Sequence, residues 1–224
     1  MPLFQRTQQT ITVTVLAGTF LYAAIRYNII KGVAWEHFPL FISNKAIALA
    51  SVAFIALSYM LGPLARFWPQ TMVPLLPARK FFGLLGFGLG AVHGLMSLLL
   101  FTPANYPKFF LADGTLNVTG ELSMVFGIFS LLIFTAVALT SLPSIAASLK
   151  VDQWQFVQRL GYAGLTLVLL HVITMGLEGW LKPATWPGRL LPISLVAAII
   201  IAAALLLRII VLISPGTYGS QKNK

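Results

Sequence analysis

The chain is 224 residues long, 58% hydrophobic and only 9% charged, with a mean hydropathy of +0.88. A soluble domain carries about 25% charged residues, so this composition argues against a soluble enzyme, and its hydrophobicity argues against disorder. The absence of cysteine excludes disulfides, thiolate metal sites and iron–sulfur clusters. The net charge of +10 contains no basic run or basic helix face, so it points to helix ends and anionic lipid head groups rather than to nucleic acid.

Six segments have the roughly 20 apolar residues that a membrane-spanning helix needs. In chain order they are Ile11–Ile30, Ala46–Leu64, Phe81–Phe101, Leu122–Leu139, Phe156–Leu177 and Leu191–Ile213. Proline, glycine and charge clusters separate them, beginning with Gly62-Pro63 after the second. The first segment lacks a small-residue cleavage pattern and reads as a full span, not a signal peptide. The expected fold is therefore an all-α bundle of six transmembrane helices forming one domain over residues 1–224, without a soluble appendage. An inside N-terminus puts nine basic residues inside (Arg6, Arg66, Arg79, Lys80, Lys150, Arg159, Arg208, Lys222 and Lys224) and six outside. That bias favours both termini in the cytoplasm.

The third and fifth segments each carry a histidine at depth, His93 and His171. An imidazole in hydrocarbon is costly without a partner and marks a functional position. His93 lies 13 residues past Lys80 and His171 lies 15 past Phe156. At about 1.5 Å per residue both sit at one level in the outer half. Two imidazoles at equal depth on parallel helices suit the two axial positions of a single haem. Gly86 and Gly164 each precede their histidine by seven residues, nearly two turns, and share its face. A missing side chain there lets a flat macrocycle, or a neighbouring helix, come close. His37 lies in a loop and reads as a surface residue. Packing histidines, a non-haem metal site and a proton relay also fit the residues, and they stay open at this stage.

The five acids, Glu36, Asp113, Glu121, Asp152 and Glu178, lie in loops or near helix ends, which disfavours a non-haem metal. No Ser-His-Asp set, phosphate-binding glycine loop or carboxylate pair offers hydrolytic chemistry. Arg26 and Lys45 are at the height of the histidines' outer side. They are candidate partners for haem propionates, against the alternative of ordinary interfacial snorkelling. Met96 and Met175, one turn outward of the histidines, read as pocket packing, with replacement of a ligand as the alternative.

Six helices with histidines on the third and fifth resemble the ferric reductase-like transmembrane superfamily. The pattern is nearest to the haem-binding membrane subunit of the protein-methionine-sulfoxide reductase system, the MsrQ type. The resemblance is carried by Ala78-Arg-Lys-Phe-Phe-Gly-Leu-Leu-Gly-Phe ending in Val92-His93, by Thr140-Ser141, and by Trp154-Gln-Phe-Val-Gln158-Arg159-Leu160-Gly-Tyr162 continuing to Leu170-His171. It covers most of residues 44–178. The resemblance implies a membrane b-type cytochrome in a bacterial inner (cytoplasmic) membrane, with His93 and His171 as the axial ligands of the haem iron.

The sequence departs from the family's two-haem pattern, because Gln158 stands where the family's second helix-five histidine falls and Arg79 lies fourteen residues before His93. The expectation is one haem b, held non-covalently for want of a Cys-x-x-Cys-His motif. It would relay electrons from a quinol or flavin such as FMN to an acceptor or protein partner on the outer face. These 224 residues leave no room for a nucleotide-binding domain, so the expected role is an electron-transfer subunit. The alternative is a non-catalytic accessory subunit of a larger membrane complex that keeps this fold.

Overall fold

Six helices long and apolar enough to cross a bilayer account for most of residues 3–214, the part of the chain that the computed structural model describes. They are α1 (Leu3–Ala23), α2 (Ser43–Phe67), α3 (Ala78–Leu100), α4 (Val118–Leu139), α5 (Val151–Trp180) and α6 (Ile193–Ile213). Each of the six expected segments lies in one of these, or in the π-helical turn Ala24–Ile30 that extends α1, apart from one or two residues at segment ends. Lys222 and Lys224, two of the residues used to infer orientation, lie outside the described residues.

The helices run past the apolar stretches. Helix α1 begins at Leu3 and runs through the polar residues 5–9, and α5 starts at Val151, five residues before the expected boundary. The expected stop at Gly62-Pro63 is corrected: α2 continues through Pro63 to Phe67. A proline inside a helix deprives the carbonyl four residues earlier of its donor. That carbonyl belongs to Tyr59, and it accepts instead from the Tyr162 hydroxyl of α5 at 3.2 Å. A cross-helix bond thus replaces the missing intrahelical one. At the start of α4, the Asn117 side chain caps the helix by accepting from the Gly120 N–H at 3.0 Å.

Packing joins α2 to α3, α3 to α4, α4 to α5, α5 to α6, and α6 back to α2, while α1 leans on α2. Five helices therefore close a ring, in which α3 and α5 stand apart across the interior. Small residues allow the close approaches: Ala46, Ala50 and Ala56 on α2, and Ala197, Ala198 and Ala204 on α6, are buried. Leu98, Leu99, Phe129, Ile199, Leu206 and Leu212 are exposed large apolar side chains. An outside of that kind has a bilayer as its solvent. The start of α1 and the end of α6 share one face, where Arg66 at the end of α2 donates to the Val211 and Ser214 carbonyls at 3.1 and 2.9 Å. That face is called the terminal face below.

Candidate functional site

Each membrane histidine is held by the helix beside it. His93 Nδ1 lies 2.8 Å from Asn44 Oδ1 of α2, with Ser97 Oγ at 3.4 Å. The Asn44 amide nitrogen donates to Ser97 Oγ at 3.1 Å, so its oxygen is the atom facing the imidazole. On the other side of the ring, His171 Nδ1 lies 2.8 Å from the Ser123 backbone carbonyl of α4, and Ser123 Oγ is at 3.1 Å. A carbonyl oxygen only accepts, so both Nδ1 atoms carry the hydrogen, and the lone pair of each neutral ring is on Nε2. This is how histidines that ligate through Nε2 are oriented and kept basic by their neighbours.

The space for the His171 ring comes from Gly127, one turn along α4 from Ser123. A Cβ on Gly127 would lie 3.2 Å from His171 Nδ1 and 3.4 Å from Cε1. Asn44 and Ser123 are 2% and 1% exposed, and each of these buried polar residues bonds an imidazole. Among the described residues no three His, Cys, Asp or Glu side chains come together, so His93 and His171 belong to no larger ligand cluster. His37 sits in an exposed loop, with Nε2 3.7 Å from Glu36.

Gly86 and Gly164 do not open onto a macrocycle. A Cβ on Gly86 would meet Ile55 Cγ1 at 2.7 Å and Ile55 N at 2.8 Å, and the Gly86 carbonyl accepts from Ser51 Oγ at 2.7 Å. The glycine admits the backbone of α2. A Cβ on Gly164 would meet Phe134 Cε2 at 3.0 Å and Ile133 Cγ2 at 3.2 Å, so this glycine admits side chains of α4. Of the two partners a bare glycine face can receive, both positions receive the helix, because the pairs α2–α3 and α4–α5 are the tightest in the bundle.

Arg26 and Lys45 do not snorkel. Arg26, in the π-helical turn, is 6% exposed; Nη1 donates to the Leu190 carbonyl at 2.9 Å, while Nε is buried without a partner. Lys45 follows the His93 partner Asn44 in sequence. Its ammonium donates to the Tyr106 hydroxyl at 3.0 Å and lies over the rings of Phe41 and Tyr106 at 4.2 and 4.8 Å. Both cations approach the Tyr27 ring, at 5.5 and 5.7 Å. The ion pairs among the described residues, Glu36 with His37 and Glu178 with Lys182, are exposed and involve neither cation. Tyr106 lies in the loop between α3 and α4, and burial first, then Tyr27, pushes its hydroxyl up to about 12, so it stays protonated beside Lys45.

The positions that depart from the two-haem pattern are occupied structurally. The Gln158 amide donates to the Val137 carbonyl at 3.2 Å and Thr140 Oγ1 at 3.1 Å, closing the end of α4. Arg79 Nε donates to the Ser58 carbonyl at 3.1 Å.

The residues present fit a haem. Two Nε2 lone pairs are left free by bonds at Nδ1, and two cations lie near the histidine level without acidic partners, one with an orphaned N–H. Asn44, Ser123 and Gly127 are not marked by the sequence. Gly127 lies one turn from Ser123, but their relation to His171 requires the register of α4 on α5.

The fold defines an integral membrane helical bundle, with one histidine on α3 and one on α5 inside the spans. Residues 46–169, more than half of the chain, match the family described as ferric reductase like transmembrane component, and the chain belongs to that family. It is 28% identical over 200 residues to metalloreductase STEAP2 of Mus musculus, covering 75% of this chain and 41% of that protein. To metalloreductase STEAP3 of Rattus norvegicus it is 26% identical over 201 residues, covering 73% of this chain and 41% of that protein. The chain thus spans about two fifths of the length of these curated relatives. Membership supports a membrane redox role.

Proposed function

We propose that the protein is a b-type cytochrome subunit in which His93 and His171 hold a single haem b through Nε2. The observation that carries this reading is the matched bonding of the two imidazoles, each with Nδ1 occupied by a carbonyl oxygen of the adjacent helix. Bound there, haem iron would supply one-electron ferric–ferrous chemistry. Asn44 and Ser123 fix the ring orientations and raise the basicity of Nε2. Arg26 and Lys45 would neutralise the propionates, and the largely apolar bundle would limit access of water. A quinol or a flavin such as FMN is the donor, and a metal ion or partner protein on the outer face is the acceptor. The name metalloreductase carried by the relatives makes metal ions the first acceptors to test. The setting proposed is a bacterial inner membrane with both termini cytoplasmic.

The test is to purify the protein from membranes and record its reduced-minus-oxidised spectrum and haem-to-chain ratio. A b-type spectrum near one haem per chain, lost in both His93→Ala and His171→Ala, supports the reading. A haem-free protein, or full haem content in either variant, defeats it. The structural use of Gln158 also favours a second reading, a haem-bearing accessory subunit without redox turnover. Rapid reduction by a quinol or reduced flavin would exclude that.

A further inference from the structure

Between the level of the histidines and the terminal face, a side chain of α2 reaches across to α5. Tyr59 of α2 is buried, and its hydroxyl donates to the Gln158 carbonyl of α5 at 3.1 Å. Its ring lies where a side chain of residue 161 would stand, so that only glycine at that position lets α5 accept it. Tyr162 packs edge-on against Tyr59 at 4.9 Å and donates to the carbonyl released by Pro63. Phe134 of α4 packs against Tyr59 from the side at 6.4 Å and seats on Gly164. Arg208 of α6 lies 5.2 Å from the Tyr162 ring centre. Residues from α2, α4, α5 and α6 thus meet at one level. Gly161 and Gly164 are ten and seven residues before His171, roughly 10–15 Å along the helix.

We propose that Tyr59 and Phe134, seated on Gly161 and Gly164, form a floor that limits the bundle interior beside His93 and His171 to one porphyrin and shuts it off from the terminal face. The proposal rests on the haem reading above and assigns Tyr59 as a positioning residue. Tyr59 fills the level at which Gln158 of α5 and, through Ser58, Arg79 of α3 attach, so the space for a second macrocycle is occupied whatever ligands are supplied. Its three anchors explain why the plug stays in place: the hydroxyl bond to Gln158, the bond to its own carbonyl, and the ring in the glycine gap.

The test uses the full chain in two arms. In the first, haem-to-chain ratio and low-spin haem resonances are measured for the parent, Tyr59→Phe, Arg79→His/Gln158→His, and the same pair with Tyr59→Ala. The floor predicts one haem in the first three and an approach to two, with a second resonance, in the last. A second haem in the pair alone overturns it, as does a triple variant that keeps its first haem and gains none. The second arm reads access without haem. Because the chain has no cysteine, Val168→Cys is a single label position between the floor and His171. In sealed vesicles, an impermeant maleimide on the terminal face should label it at least tenfold faster once Tyr59→Ala is added, and equal rates overturn the floor. If the triple variant loses all haem, the labelling arm decides. A parent protein without haem defeats the reading beneath the proposal and leaves the labelling result to judge the floor.

Discussion

His171 Nδ1 and the Ser123 carbonyl oxygen are 2.8 Å apart, and the ring they orient lies against Gly127, one turn further along α4. The acceptor is backbone, so no substitution of Ser123 removes it. Space is the vulnerable element. Gly127→Val should turn the imidazole out of place and reduce haem content several-fold. Gly94→Ala, whose Cβ would meet only Leu131 Cδ2 at an ordinary 3.5 Å, should leave it unchanged. Absorption per chain after purification separates the two.

Asn44 gives a milder lever on the opposite ligand. Asn44→Ala removes the acceptor at His93 Nδ1 and frees the ring to rotate. Loss of such an outer partner typically costs on the order of 10–100-fold in affinity. Haem transfer to apomyoglobin should be correspondingly faster. An unchanged transfer rate would mean that Asn44 serves packing alone.

Arg26 and Lys45 set a field as well as a contact. A nearby cation favours the reduced, less positive iron, so Arg26→Gln and Lys45→Gln should each lower the midpoint potential. A shift of about 60 mV corresponds to tenfold in a one-electron equilibrium, and the expected falls are of that order or smaller. Tyr106→Phe removes the hydroxyl that holds Lys45 and should give a smaller fall. The Tyr106 hydroxyl keeps its proton below about 12, so it adds no titration of its own in the neutral range. Spectroelectrochemical titration measures all three.

Gln158 should behave as a cap. Gln158→Ala removes the amide that closes the end of α4. The expected cost is about 1 kcal/mol, visible as a lower unfolding midpoint in detergent, with haem content unchanged. Loss of haem at unchanged stability would instead make it part of the cofactor site.

Gly161 and Tyr59 should be energetically coupled. A Cβ at residue 161 would overlap the Tyr59 ring and hydroxyl. Overpacking of this kind costs about 1–3 kcal/mol, so Gly161→Ala alone should be destabilising. In the double variant with Tyr59→Ala most of the clash vanishes, and the two effects should fail to add by an amount on the order of 0.5–3 kcal/mol. Simple additivity in thermal unfolding would mean that the two residues do not touch.

Six spans, their order and the two histidines were legible in the sequence, because hydropathy is local: a stretch of about 20 apolar residues has to cross the bilayer wherever its neighbours lie. Span ends were less legible, since a helix carries on into polar sequence wherever its backbone bonds are satisfied, as at Gln5–Gln9 and through Pro63. What faces what was decided only by the tertiary structure. Sequence places Gly86 and Gly164 on the faces of their histidines, yet it takes the ring of helices to show that α2 and α4 fill those faces. Arg26 and Lys45 look like interfacial cations until the loops around Tyr106 and Leu190 fold over them. Asn44, Ser123, Gly127 and Tyr59 become meaningful only once α2 and α4 are set against α3 and α5. The physical reason is that burial in hydrocarbon is a property of a segment, whereas a hydrogen bond or a gap a few ångströms wide depends on the rotation and register of two helices distant in the chain.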